Sequence, residues 1–125
     1  MKVILDIETD GFNPTVVHCI VAKDIDTNTV TVFDPNSMYS FKNWSKGVEK
    51  FIMHNGLSFD APVLNKLLDA EISPGKIIDT LILSQLFNPI REKGHGLRAW
   101  GEKLNMLKGG EGVNFSKYNQ AMLDY

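Results

Sequence analysis

Three short apolar runs rich in β-branched residues fill the first third of the chain, and no segment with helical spacing precedes them. The first run, residues 3–5, leads towards an Asp-Gly turn at Asp10 and is typical of a central strand buried on both faces. The second and third runs, residues 16–22 and 30–33, flank a polar turn at 24–29 and predict an antiparallel hairpin. A chain that begins in this way is constrained to build a sheet.

Helical spacing dominates the rest of the chain. A short strand is predicted at residues 51–53, after which apolar residues recur with helical spacing from 63 to 70. A further extended segment is predicted at 76–78, with Asp79 as the N-cap of a helix over 81–87. Helical spacing returns at 97–104 and again at 115–125, after a glycine-rich loop at 108–112. Strands first, helices afterwards and one strand-to-helix crossover predict an α/β fold, with one domain over residues 1–125 and a mixed sheet covered by helices.

The composition excludes several classes of protein. The chain has no apolar run of about eighteen residues, so no membrane-spanning helix and no membrane partner are expected. Asp6 interrupts the apolar stretch that a signal peptide would need, and Cys19 is the single cysteine, so we expect a reducing, cytoplasmic location. The net charge of -2 argues against holding nucleic acid mainly through lysine and arginine, so metal ions would have to supply positive charge to such a site.

Asp6 and Glu8 lie two residues apart on the predicted first strand. Alternate residues of a strand leave the same face, roughly 7 Å apart at the backbone, so both carboxylates can converge on one site. Two acids this close raise each other's pKa unless a cation lies between them, and hard ions such as Mg²⁺ or Mn²⁺ bind carboxylate oxygens. The alternative is an exposed acidic strand end without chemistry.

A third acid, Asp60, falls at the beginning of a helix that carries Pro62 in its first turn. The N-terminus of a helix could hold this carboxylate while its outer oxygen reaches a metal ion or a metal-bound water. The alternative is that Asp60 is simply a favourable acid in a first helical turn.

Three segments together resemble the motifs of proofreading exonucleases in the ribonuclease-H-like superfamily. Residues 6–9, Asp-Ile-Glu-Thr, resemble the first motif, and residues 55–60, Asn-x-x-x-Phe-Asp, resemble the second. Residues 123–125, Leu-Asp-Tyr, resemble the opening of the third motif, Tyr-x-x-x-Asp, of the tyrosine subgroup. The segments between them resemble the exonuclease domain of family A replicative DNA polymerases of short-tailed bacteriophages, at residues 54–56, 78–81 and 95–101. The resemblance covers nearly the whole chain and implies a ribonuclease-H-like mixed sheet flanked by helices.

The resemblance also implies two-metal chemistry at the matching positions. Asp6 would bridge two divalent ions, Mg²⁺ or Mn²⁺, Glu8 would bind the ion that activates water, and Asp60 would hold the second ion through water. Tyr125 would orient the attacking water; from periodicity alone, the alternative is a core tyrosine that ends an amphipathic face. The last carboxylate of the family would follow four residues after Tyr125, so the domain is expected to be incomplete at its C-terminus and its first metal site to lack one ligand.

Four further residues are candidates for contact with the substrate. Phe12 could stack on the terminal base, or it could pack in the core. Thr9 could contact the 3′ end, or it could simply end a strand. Asn55 could orient the substrate, or it could close a turn with the glycine that follows it. Phe59, within the second motif, completes the candidate substrate-binding set.

The chain is therefore interpreted as a metal-dependent 3′-to-5′ proofreading exonuclease domain that hydrolyses single-stranded DNA 3′ ends to nucleotide monophosphates. Its expected partners are single-stranded DNA and a polymerase domain in the same or a companion chain, within an infected bacterium if the chain is phage-encoded. Two alternatives remain open. One is an RNA-trimming exonuclease of the same superfamily, and the other is a non-catalytic module that binds DNA or docks a polymerase domain.

Overall fold

Five strands and four helices make up the regular structure of the part of the chain that is described. The computed structural model describes residues 1–91, 93–104, 117–118 and 120–123, without the side chains of Glu102 and Ala121. The strands are β1 (Lys2–Thr9), β2 (Val17–Asp24), β3 (Val30–Phe33), β4 (Lys50–Met53) and β5 (Ile77–Asp79), and the helices are α1 (Phe41–Ser45), α2 (Ala61–Leu67), α3 (Thr80–Phe87) and α4 (Leu97–Leu104). Shorter elements are the 3-10 turns Met38–Ser40, Pro74–Lys76 and Gln120–Leu123 and a π-helical turn at Gly56–Asp60. None of the described helices is long and apolar enough to cross a membrane.

The strands form one mixed sheet in the order β3-β2-β1-β4-β5. β1 lies in the middle, antiparallel to β2 and parallel to β4, while β3 is antiparallel to β2 and β5 is parallel to β4. The predicted hairpin of β2 and β3 is confirmed, as is the crossover in which α2 connects two parallel strands. A mixed five-stranded sheet with flanking helices confirms the predicted α/β class and is consistent with a ribonuclease-H-like fold.

β1 alternates between a buried face and an open face. Val3, Leu5 and Ile7 are buried, whereas Ile4 is 49% exposed and Asp6 is exposed. The prediction that the first strand is buried on both faces was therefore wrong. The face that carries Ile4 and Asp6 borders a cavity of about 200 Å³, which Met122 and Leu123 also line.

The core lies on the other face of the sheet. Phe33, Phe41 and Trp44 form an aromatic cluster in which the ring centroids of Phe33 and Phe41 are 5.3 Å apart, edge to face. α2 adds Val63 and Leu64 to this core. The sequence did not predict α1, because a helix of five residues is too short to show a helical period. Its buried Phe41 holds it against the sheet.

A polar network joins α3 to α4 and to the segment between them. Trp100 Nε1 donates a hydrogen bond of 2.7 Å to Ser84 Oγ, which lies 2.6 Å from His95 Nδ1. The guanidinium of Arg91 stacks 3.7 Å from the centre of the Trp100 ring. The end of α3 is open to solvent, since the ring of Phe87 is 83% exposed.

The C-terminal segment fits its prediction only in part. The spacing predicted a helix over residues 115–125, yet Lys117 and Tyr118 are not helical and Gln120–Leu123 is a 3-10 turn. The short turn buries Met122 next to β2. A continuous helix could bury the same side chain, so the spacing of apolar residues does not distinguish the two. The glycine-rich loop at 108–112 lies outside the described residues.

Candidate functional site

Asp6 and Glu8 leave β1 on the same side of the sheet, as the alternation predicts. Asp6 is exposed and Glu8 is half-buried. The pairing register of β1 with β2 shifts directly after Glu8, and such a bulge bends the sheet beside the two acids. Burial, and then the charges of Glu8 and Asp6, raise the pKa of Cys19 on the neighbouring strand to about 11. Both carboxylates therefore lie within electrostatic reach of one point on β2.

Asp60 is the buried acid of the site. It ends the π-helical turn that leads into α2, its side chain is 6% exposed, and it makes no capping hydrogen bond. Burial, followed by the charges of Asp6, Asp79 and Glu8, raises the pKa of Asp60 from 3.8 to about 7. Asp60 thus lies at the start of α2 without a capping hydrogen bond, in the electrostatic field of both acids of β1.

The chemistry of these acids fits a hard divalent cation, whereas their geometry does not form a closed ligand set. The charges of Asp6 and Glu8 raise the pKa of Asp60, a repulsion that a bound cation would relieve. Within residues 1–91, 93–104, 117–118 and 120–123, however, no group of three or more His, Cys, Asp or Glu side chains is arranged to hold a metal ion. Asp6 and Glu8 are therefore candidates for direct ligands, and Asp60 is a candidate for contact through water.

Asp79 caps α3, as predicted, and also binds a turn that is distant in sequence. Its carboxylate accepts hydrogen bonds from the backbone N–H groups of Leu81 and Ile82 at 3.0 and 3.4 Å. It also accepts hydrogen bonds from the N–H groups of Asn55 and Leu57 at 2.9 and 3.1 Å. The parallel pairing of β4 with β5 brings these groups together, because the turn follows the end of β4 and Asp79 ends β5.

A groove of about 330 Å³ lies beside Glu8, and all four residues predicted to contact a substrate line it. This volume falls at the lower end of the range for small-molecule pockets. The lining consists of Ile7, Glu8, Thr9, Gly11, Phe12, Asn55 and Phe59. The groove and the acids therefore share Glu8.

The structure tests the structural roles that the sequence offered for these residues as alternatives to substrate contact. The ring of Phe12 is fully exposed, so the alternative of core packing is wrong. Asn55 has a left-handed backbone with φ of 62°, which confirms that it closes a turn while it also lines the groove. Thr9 is buried, and its Oγ1 donates a hydrogen bond of 2.9 Å to the carbonyl of Gly11. Phe59 packs partly against the core.

Asp10 closes the loop that presents Phe12. Its carboxylate accepts hydrogen bonds from the N–H and Oγ1 of Thr15 at 2.9 and 2.5 Å and from the N–H of Val16 at 3.2 Å. The hydroxyl and then the N–H of Thr15 lower the pKa of Asp10 to about 2. These hydrogen bonds join the two ends of the loop, which places the exposed ring of Phe12 next to the groove.

Tyr125, predicted to orient water, lies outside the described residues, as does the neighbouring Asp124. The structure adds one residue that sequence reasoning had assigned only to a helix end, namely Asp79, whose bonds to Asn55 and Leu57 shape the groove side of the site. The sequence carries no signal for these bonds, because the partners are 24 and 22 residues apart.

Comparison with known proteins finds a similarity to a DNA polymerase. No protein-family model matches the chain. A DNA-directed DNA polymerase of Escherichia phage T7 is 25% identical to it in an alignment of 169 residues, which covers 98% of this chain and 24% of the polymerase. The chain thus spans about a quarter of the length of the curated relative that it matches. This similarity supports a relationship between the chain and one part of a DNA polymerase.

Proposed function

We propose that the chain is a metal-dependent 3′-to-5′ exonuclease domain that works with a DNA polymerase and releases nucleotide monophosphates from single-stranded DNA 3′ ends. The observation that carries the proposal is the buried Asp60 in the field of Asp6 and Glu8, next to a groove walled by Phe12. The similarity to a T7 DNA polymerase supports the link to DNA synthesis. A proofreading role follows from that link.

Each part of the site has a place in this function. Asp6 and Glu8 would bind divalent ions directly, and Asp60 would do so through water. A pair of Mg²⁺ or Mn²⁺ ions stabilises the attacking and leaving oxygens of a displacement at phosphorus. The groove would take the terminal nucleotide, with its base stacked on Phe12, because exposed aromatic rings bind single strands in this way. Since Glu8 borders both regions, a nucleotide in the groove would have its phosphate beside the acids.

The direct test is digestion of a 5′-labelled single-stranded DNA oligonucleotide in Mg²⁺ or Mn²⁺, with an RNA oligonucleotide of the same sequence in parallel. We expect stepwise shortening of the DNA from its 3′ end, abolished by EDTA and by Asp6→Asn. Asp69→Asn is the matched control, because Asp69 is an exposed acid paired with Lys42 outside the site. Shortening of RNA alone would favour the RNA-trimming alternative.

Binding of Mn²⁺ gives a second measurement that does not require turnover. Electron paramagnetic resonance should detect Mn²⁺ bound to the wild-type protein and to Asp69→Asn, and much less bound to Asp6→Asn. A wild-type protein that neither binds Mn²⁺ nor shortens either oligonucleotide contradicts the proposal.

One observation favours a second candidate, a non-catalytic DNA-binding module. The described part of the chain contains no closed set of three metal-binding side chains, so this part alone does not complete a two-ion site. Such a module would bind single-stranded DNA in Mg²⁺ without shortening it. The same oligonucleotide, followed by fluorescence anisotropy and by gel electrophoresis, distinguishes the two functions.

A further inference from the structure

The carboxylate of Asp79 joins two parts of the chain that the sheet brings side by side. It is 5% exposed and accepts four backbone hydrogen bonds, two from the start of α3 and two from Asn55 and Leu57. Helix capping requires only the first two of these bonds. The other two bind the turn after β4, and a second contact supports them, since His54 Nδ1 lies 2.9 Å from Thr80 Oγ1.

The turn held by Asp79 has a backbone that cannot form freely. Asn55 has a φ of 62°, a left-handed conformation that asparagine adopts more readily than most residues but less readily than glycine. Gly56, which follows, is buried so closely against Met53 that a Cβ atom at this position would overlap the Met53 side chain. A turn of this kind persists only where surrounding contacts fix it. The two N–H groups bound to Asp79 lie on either side of Gly56.

The turn is also the part of the site that faces the substrate groove. Asn55 and Phe59 line the groove opposite the end of β1, and the π-helical turn ends at Asp60. Any movement of the turn would therefore shift the groove wall and the buried acid together. The hydrogen bonds that Asp79 accepts are made to a carboxylate, and such bonds are stronger than those between neutral groups.

We propose that Asp79 is a positioning residue of the groove, which holds the Asn55–Leu57 turn so that Asn55 and Phe59 can receive the terminal nucleotide beside Glu8. This inference rests on the proposed function for the identity of the ligand. The placement of the turn by Asp79 stands on the hydrogen bonds alone. Asp79 touches neither the ligand nor the reacting atoms in this assignment.

Two substitutions separate the role of Asp79 in the turn from its role as a helix cap. Asp79→Ser keeps a good N-cap residue for α3, but its single short hydroxyl cannot also reach the turn. Asp79→Asn keeps the shape but has one acceptor oxygen and a donor NH₂ group facing backbone donors. Asp34→Asn is the matched control, because Asp34 also accepts backbone hydrogen bonds, from Asn36 and Ser37, but at the other edge of the sheet.

Hydrogen–deuterium exchange followed by NMR tests the placement without any ligand. In both Asp79 variants, exchange at the N–H groups of Asn55 and Leu57 should rise about tenfold or more, the fold-change that corresponds to losing a hydrogen bond to a charged group. Exchange in β1 and β2 should change less, and Asp34→Asn should leave both turn groups as they are in the wild type. Unchanged exchange at Asn55 and Leu57 in the Asp79 variants would overturn the proposal.

Binding of deoxythymidine monophosphate in Mg²⁺ tests the consequence for the groove. Well below the melting temperature, we expect the Kd to rise about tenfold in both Asp79 variants and to stay unchanged in Asp34→Asn. If exchange at the turn rises and the Kd does not, Asp79 stabilises the fold without positioning the groove, and the proposal fails. If the wild type does not bind the nucleotide, the proposed function fails, while the exchange rates still decide whether Asp79 holds the turn.

Discussion

Asp60 makes the stability of this protein depend on pH in a direction opposite to that of most acids. Burial and three neighbouring carboxylates raise its pKa from 3.8 to about 7 in the folded chain. Below pH 3.8 the group is protonated in both the folded and the unfolded chain, so it does not change the free energy of unfolding with pH. Between pH 3.8 and 7 the unfolded chain releases the proton first, so the free energy of unfolding falls by about 1.4 kcal/mol per pH unit. Over about three units the loss comes to about 4 kcal/mol, and it is complete above pH 7.

Asp60→Asn removes this titration while it keeps the size of the side chain. At pH 4 we expect the variant and the wild type to unfold at similar urea concentrations. At pH 8, in EDTA, we expect the variant to be more stable, with a difference that approaches about 4 kcal/mol. Urea denaturation followed by far-ultraviolet circular dichroism from pH 4 to pH 8 measures this difference.

The control for this experiment is Asp69→Asn. Asp69 pairs with Lys42 at 2.7 Å on the surface, and the hydrogen bond from Lys42 lowers its pKa. Its contribution is present above its unfolded pKa and is lost as the pH falls, so Asp69→Asn should cause a small loss of stability at pH 8. A stability difference between Asp60→Asn and the wild type that is the same at pH 4 and pH 8 would refute the reasoning about the buried acid.

Three further substitutions test the groove and the core. Phe12→Ala should change the free energy of unfolding by less than about 0.5 kcal/mol, because the ring is fully exposed, yet it should weaken the binding of single-stranded DNA roughly tenfold, as measured by anisotropy. Gly56→Ala should cost about 1–3 kcal/mol in urea titrations, because the added methyl overlaps Met53. A cost near zero would show that the turn has room to move. Phe51→Ala, which empties a fully buried site in β4, should cost about 3–5 kcal/mol by the same assay.

The elements predicted correctly are those with a local signature. β2 and β3 carry β-branched residues around a polar turn, and α3 carries its N-cap residue Asp79 in the expected place. The position of Asp6 and Glu8 on the same face of β1 follows from the two-residue period of any strand. These features depend on neighbours within a few positions, so the sequence displays them directly.

The features that were missed depend on contacts between distant segments. Whether the second face of β1 is covered depends on what packs against it, which the apolar character of residues 3–5 does not reveal. The bonds from Asn55 and Leu57 to Asp79 arise from the parallel pairing of β4 and β5, and no local pattern marks them. The burial of Asp60 depends likewise on a π-helical turn that has no signature in the sequence.

The strict alternation along β1 limits how this strand can change in length. Losing a single residue between Val3 and Glu8 would place the residues on one side of the deletion on the opposite face, so the apolar side chains could no longer all be buried while both acids stay on the open face. Between Val3 and Glu8, where the pairing with β2 is regular, a gain or loss of two residues would keep this alternation. The length of the loop at residues 10–16 does not decide which face of the sheet a residue occupies. Natural variants of this domain should therefore differ in the length of that loop, while the spacing from Val3 to Glu8 stays constant.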